Sequence, residues 1–224
     1  MKVLTYATHS YGKFDEIVGN PFGVKVDVIG FGTKWGGFMD KIHGVLNYLG
    51  GLPDNEIVVF IDGFDSEIVR PIDNLENIFK SFNCKVLISK DPQTGGNFVS
   101  TRIFGTCTND GQTANSGLYM GEVKFLKIFL KSVLKEGGED DQRNFNTLCS
   151  KYDWIKVDSD NKIFYNINTF RKDHVPYGVY FASYPASISF QRGVRGLKDY
   201  HIFFIREISL VLLIAALILF MWKM

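Results

Sequence analysis

Short apolar runs alternate with polar, glycine-rich stretches along most of the chain. Lys2–Ala7 and Val24–Phe31 read as strands, and the second ends in the stretch GFGTKWGG. Within Asp40–Leu49, residues Ile42, Val45, Leu46 and Leu49 fall on one helical face, and Gly50, Gly51 and Pro53 close the helix. Glu56–Ile61 is an almost continuous apolar run, the pattern of a central strand covered on both faces. It leads directly into Asp62-Gly63-Phe64-Asp65. Leu75–Phe82 predicts a helix, and Lys85–Ser89 another buried strand. Asp91–Gln112, rich in Gly, Thr, Asn and Pro, predicts a long loop. Asn115–Gly121 reads as a strand or turn. Val123–Leu134 predicts a helix that turns Phe125, Ile128, Phe129 and Val133 inward. Glu139–Cys149 predicts a second, with its acids at the positive end of the helix dipole. Trp154–Val157 and Ile163–Tyr165 read as short strands. This alternation predicts an α/β sheet, whose ligands bind outside the carboxyl ends of the strands. Asp62 and Asp65 stand at such an end.

The last twenty residues follow another pattern. Ile208 to Trp222 carries no charge and is bracketed by Arg206, Glu207 and Lys223. As a helix it would be roughly 22 Å long, against a hydrocarbon core of about 30 Å. No polar face is available to meet water, so residues 202–222 are expected to form a transmembrane anchor. Residues 1–200 then form the folded α/β domain. The opening MKVLTYATHS reads as a first strand and not as a secretory signal, so the expectation is a C-terminal tail anchor with a cytosolic domain.

Composition narrows the picture a little. A net charge of +1 gives no field that points to nucleic acid. Three cysteines, Cys84, Cys107 and Cys149, without a CxxC pair, suggest reduced and mostly buried thiols. No G-x-G-x-x-G follows the first strand and no P-loop is present, which argues against a Rossmann dehydrogenase or P-loop protein.

Two carboxylates at the tip of a buried strand are costly unless a cation compensates them. A hard divalent cation, Mn²⁺ or Mg²⁺, binds such oxygens and then the phosphates of a substrate, where it stabilises a departing diphosphate. Asp62 and Asp65 are therefore the candidate metal ligands. Asn115-Ser116-Gly117 offers polar groups and a close backbone approach for a sugar.

In this order the segments resemble the glycosyltransferase domain of procollagen lysyl hydroxylases and their collagen-glycosyltransferase relatives. Val3–Thr8 resembles the opening donor-site strand. Gly30–Gly37 resembles G-x-G-x-x-W-x-G-G, and Lys41 falls where a helix lysine is expected. Phe60–Asp65 resembles the metal motif, with an aromatic between the acids. Ala114–Gly121 resembles N-S-G-G-F-I-G, Glu139–Gln142 resembles D-D-D-Q, and Lys162–Asn166 resembles R-I-F-Q-N. The resemblance covers roughly residues 1–168. It implies a GT-A fold, Rossmann-like with a mixed central sheet, and hexose transfer from a UDP-sugar to a hydroxyl acceptor of protein or glycan. It implies that Asp62 and Asp65 bind the metal, and that Thr8, Gly36, Gly37, Lys41 and Phe64 serve the nucleotide side. Asn115, Ser116, Gly117 and Gln142 complete the donor site, and Asp140 or Asp141 orients the acceptor or takes its proton. The late H-G-N-G of the relatives, whose His completes the metal shell, has no His counterpart in Ser187–Gly193. Gln191 and Arg192, or His174 and His201, are the substitutes in reach. The alternative reading is a catalytically degenerate, membrane-tethered domain that binds a nucleotide-sugar or a partner protein.

Overall fold

A computed structural model describes residues 1–93, 97–108, 111–168, 174–185 and 204–219. The chain forms two units, Met1–Ser187 and Ile188–Met224.

The first unit is built on a six-stranded mixed sheet in the order β2-β1-β3-β6-β5-β7. The strands are β1 (Lys2–Tyr6), β2 (Val26–Ile29), β3 (Ile57–Asp62), β5 (Val86–Lys90), β6 (Ala114–Glu122) and β7 (Ile155–Asp158). β1 runs parallel to β2 and β3, and β5 parallel to β7, while β6 lies antiparallel between β3 and β5. A small second sheet joins β4 (Ser66–Ile68), β9 (Phe181–Ser183) and β8 (Phe164–Asn166).

β3 shows why the apolar run is continuous. Val58 and Phe60 point to one face with Leu4, Ile42, Val45 and Phe129. Ile57, Val59 and Ile61 point to the other with Val3, Ile17, Leu75 and Phe79. Helices α2 (Phe38–Leu49), α5 (Val123–Glu136) and α6 (Asp141–Cys149) cover the first face, and α1 (Phe14–Val18) and α3 (Leu75–Ser81) contribute to the second. Each large side chain buried this way contributes about 1.5–3 kcal/mol.

Three expectations are corrected. The stretch read as one long loop contains helix α4 (Asn97–Phe104). It is only eight residues long and sits between stretches rich in Gly, Thr and Asn, so the segment read as loop. On α5 the inward residues are Val123, Leu126, Phe129, Leu130 and Val133, whereas Ile128 is exposed. A 100° step places Ile128 beside Lys124, Lys131 and Lys135 on the solvent side. Finally, Cys107 and Cys149 form a disulfide, with their Cα atoms 5.2 Å apart, and only Cys84 is free and buried. The pair is 42 residues apart in sequence and is brought together by packing of the segment after α4 against the end of α6.

In the second unit, residues 204–219 form a helix, α7, whose side chains are exposed from residue 205 onward. Its exposed residues include Ile208, Leu210, Val211, Leu212, Leu213, Ile214, Leu217 and Leu219. Among the described residues no helix is long and apolar enough to cross a membrane.

Candidate active site

The carboxyl end of β3 delivers Asp62 to the sheet edge, and its antiparallel neighbour β6 passes beside it, with Ile61 paired to Leu118. The next β6 residue toward this edge is Gly117. A Cβ there would sit 2.7 Å from Asp62 Oδ2 and 2.9 Å from Asn115 Oδ1, so only glycine lets the carboxylate lie against the strand. The β5–β6 ladder slips here, from Ile88 opposite Tyr119 to Ser89 opposite Asn115. Such bulges commonly re-aim side chains next to active sites.

Lys41 reaches in from α2. Its ammonium is 3.3 Å from Asp62 Oδ1 and 2.8 Å from Asp141 Oδ2, and its side chain is 6% exposed. Burial alone would lower its pKa, but Asp141 and then Asp62 more than reverse that and hold it above the ordinary lysine range. The Asp62 carboxyl is raised to about 6, first by burial, against the pull of Lys41 and with Asp65 and Asp141 adding to the rise. Two acids thus share one ammonium, and Asp65 adds a third negative charge near Asp62.

Asp140 and Asp141 take separate parts. Asp140 is the N-cap of α6 and accepts a hydrogen bond from the Arg143 N–H at 3.0 Å. Asp141, in the first turn, is buried and faces Lys41. Gln142 extends the constellation. Its Nε2 donates to Asp91 Oδ2 at 2.8 Å, and its Oε1 accepts from Asn115 Nδ2 at 3.2 Å. Asn115 Oδ1 in turn accepts from the Gly117 N–H at 2.8 Å.

The nucleotide-side candidates lie on the neighbouring loops. Thr8, buried just after β1, has its hydroxyl 2.9 Å from His9 Nδ1. Phe64, in the turn after β3, packs on His9 and Tyr11 at ring distances of 5.3 and 5.7 Å. The Gly36 N–H donates to Asp40 at 2.6 Å, and Gly37, at φ 146°, forms the N-cap of α2. Asp65 is buried; Ser183 donates to its side chain at 3.3 Å, and the Tyr184 N–H to its carbonyl at 2.8 Å. Ser116 is buried on β6. The contacts bring Lys41, Asp62 and Asp141 together, and join Asn115, Gly117 and Gln142 to them. Thr8, Phe64, Gly36 and Gly37 belong to surrounding loops. His174 is exposed. Ser187–Gly193, Gln191, Arg192 and His201 lie outside the described residues.

Sequence reasoning passed over Asp91 and Asn146. Asp91 follows β5 as Asp62 ends β3, so a carboxylate at the end of a buried strand was the available signal. It is buried, accepts from Ser100 and from the Gln93 N–H, each at 2.7 Å, and anchors Gln142. Burial raises its pKa against those three hydrogen bonds. Asn146, fully buried on α6, accepts from the Ala114 N–H at 2.7 Å and donates to the Ala114 carbonyl at 2.9 Å. It pins the start of β6 to the helix that carries Asp141.

Comparison with known proteins points the same way. A family model described as PLOD GT domain matches residues 1–177. Two solved structures of LgtC share the fold. One, an active-site mutant, superposes with a TM-score of 0.54 at 9% identity, covering 82% of this chain and 87% of the other. The other, galactosyltransferase LgtC in complex with donor and acceptor sugar analogs, gives 0.51 at 12%, covering 84% and 88%. A search of curated proteins finds no match.

Proposed function

Because the chain belongs to the family of the PLOD GT domain, a glycosyltransferase domain of lysyl hydroxylase and collagen glycosyltransferase type, we propose that it moves a hexose from a UDP-sugar to a hydroxyl acceptor with the help of Mn²⁺ or Mg²⁺. The carrying observation is the acidic cluster where the carboxyl end of β3, the amino end of β6 and the start of α6 meet, with Asp62 and Asp141 on Lys41 and Asp65 three residues beyond Asp62.

The donor set fits a hard divalent cation. Asp62 and Asp65 supply carboxylate oxygens, and a dication would offset both the burial and the acid–acid repulsion that raise the Asp62 pKa. When bound, the metal neutralises the charge that grows on the departing diphosphate. Among the described residues no group of three His, Cys, Asp or Glu side chains is poised for a metal, so further ligands come from the donor, from water, or from segments not described. Lys41 offsets the acids and fixes Asp141. Asn115 and Gln142 present amide groups to the sugar. Asp141 orients the acceptor hydroxyl or receives its proton. Thr8, Phe64, Gly36 and Gly37 serve the nucleotide.

The alternative, a domain that binds donor or partner without turnover, draws on the lack of a His in Ser187–Gly193, where the relatives carry H-G-N-G. A turnover assay with UDP-hexoses, with and without Mn²⁺, separates the two. Metal-dependent release of UDP that is lost in Asp62→Asn supports the enzyme; donor binding without release supports the binding module.

The same reading includes membrane attachment through α7. Its apolar surface is exposed all round, and Arg206 and Glu207 sit at its start. At 16 residues it is about 24 Å long, so it calls for neighbouring residues or a thin bilayer to span. Alkaline carbonate extraction of membranes tests this: release of the full chain would remove the anchor. Reduced thiols would suit the expected cytosolic side, and the Cys107–Cys149 bond removes that support.

A further inference from the structure

The sugar-side segment Asn115-Ser116-Gly117 sits where the β5–β6 ladder slips. Leu118 keeps its place opposite Ile61 of β3, but β5 steps from Ile88 opposite Tyr119 to Ser89 opposite Asn115. Ser116, Gly117 and Leu118 are thus skipped by β5. A bulge of this size loses ladder bonds, so side chains have to hold its backbone groups. The segment Lys162–Asn166, which has no part in the proposed reaction, supplies one of them.

Ser89 Oγ donates to the Asn115 carbonyl at 3.1 Å. Asn166, at the end of β8 in the small sheet, donates through Nδ2 to Ser89 Oγ at 2.9 Å and to the Lys90 carbonyl at 2.7 Å. Just past β8, Asn168 donates to the Pro92 carbonyl at 3.1 Å, so the backbone is held on both sides of Asp91. Ser89, Asn115 and Asn166 are all buried. The direction of this chain of hydrogen bonds is fixed. The amide nitrogen of Asn166 only donates, and its two protons go to Ser89 and Lys90. A flipped amide would set Oδ1 against the Lys90 carbonyl, oxygen against oxygen. Ser89 therefore accepts from Asn166, and its single proton goes to Asn115.

We propose that Asn166 and Ser89 are positioning residues for the sugar side of the donor site. They hold the Asn115 backbone in the bulge, and so aim its side-chain amide, which meets Gln142 at 3.2 Å, at the transferred hexose. The inference rests on the reading of Asn115 as a sugar-side group.

The test is titration calorimetry on the full chain with Mn²⁺, using UDP-glucose, UDP-galactose and UDP as probes. The parent protein is compared with Ser89→Ala, Asn115→Ala and the pair, and a thermal melt checks folding. UDP lacks the sugar, so it reads the nucleotide side alone. In Ser89→Ala, affinity for the tighter-bound UDP-hexose should fall about tenfold with UDP within twofold, and the loss should vanish in the Asn115→Ala background. Asn166→Asp gives Ser89 an acceptor, so the hydroxyl proton turns away from Asn115 and the same selective loss should appear. Should that variant fail to fold, Ser89→Ala decides alone. Equal losses for UDP and UDP-hexose would make Ser89 a support of the whole fold, and overturn the inference. Unchanged affinities in Ser89→Ala or in folded Asn166→Asp, or equal losses in both backgrounds, would overturn it too. A parent protein that binds neither UDP-hexose refutes the proposed donor, and parental affinity in Asn115→Ala refutes the sugar-side reading; the inference falls with either. Impaired Asn115→Ala with intact Ser89→Ala refutes the inference only.

Discussion

Lys41 and Asp141 form a 2.8 Å ion pair whose two side chains are each 6% exposed. Removing the cation from such a pair leaves a buried, uncompensated charge, a loss of about 3–5 kcal/mol. Lys41→Met should therefore destabilise the domain by about that amount in urea unfolding without metal. It should also abolish turnover. Because the acids remain, added Mn²⁺ should restore more stability to the variant than to the parent protein. Equal metal effects in both would separate Lys41 from the metal site.

Gly117 gives a sharper geometric prediction. Alanine there would place a Cβ 2.7 Å from Asp62 Oδ2, so the carboxylate must move by several tenths of an ångström. Misplacement of this order at a reacting centre costs roughly 10²-fold in rate. Gly117→Ala should lower kcat/KM by about that factor while the far-UV spectrum stays native. Gly51→Ala is the control, since its nearest obstacle is 3.8 Å away. Matching losses in the two variants would remove the steric argument.

What the sequence made legible follows from the range of each interaction. β3 and the helices α2, α5 and α6 were readable because their patterns are local, either a continuous run or a 3.6-residue repeat. The placing of Asp62 at a strand end was readable for the same reason. The partner of each site residue was not. Lys41 meets Asp62 across 21 residues, and Gln142 meets Asp91 across 51. Helix α4 escaped because it is short and lies between stretches rich in Gly, Thr and Asn. The Cys107–Cys149 bond escaped because three cysteines without a motif carry no pairing information. Asp140 and Asp141 looked equivalent until the helix start was fixed and one became its cap.

The disulfide reports on both stability and compartment. Closing a segment of this length contributes about 2–4 kcal/mol in the chain-entropy account. The Cys107→Ser/Cys149→Ser variant should lose about that much, and a reductant should do the same to the parent protein and nothing to the variant. Thiol alkylation in intact cells before lysis then reads the compartment. Blocked Cys107 and Cys149 mean an oxidising space; alkylated ones mean a reducing one.

Metal binding should depend on pH in a direction set by Asp62. Its carboxyl is raised to about 6 from an ordinary value of 3.8, first by burial and then by Asp65 and Asp141, against the pull of Lys41. Between those two values the folded protein holds more proton than the unfolded chain. Without metal, this contribution to stability is complete below about pH 4 and is lost as the pH rises through about 6. A dication competes with the same proton. Mn²⁺ affinity should therefore rise steeply from about pH 5 to 7 and flatten above it. At saturating Mn²⁺ the midpoint of the pH–rate profile should shift below 6, because the bound charge stabilises the carboxylate. Asp62→Asn has no proton to lose at this position, so its residual Mn²⁺ binding should lose this pH dependence. Titration calorimetry at three pH values, on the parent protein and the variant, measures both slopes. Equal slopes would move the metal away from Asp62, and proton release in the parent alone would hold it there.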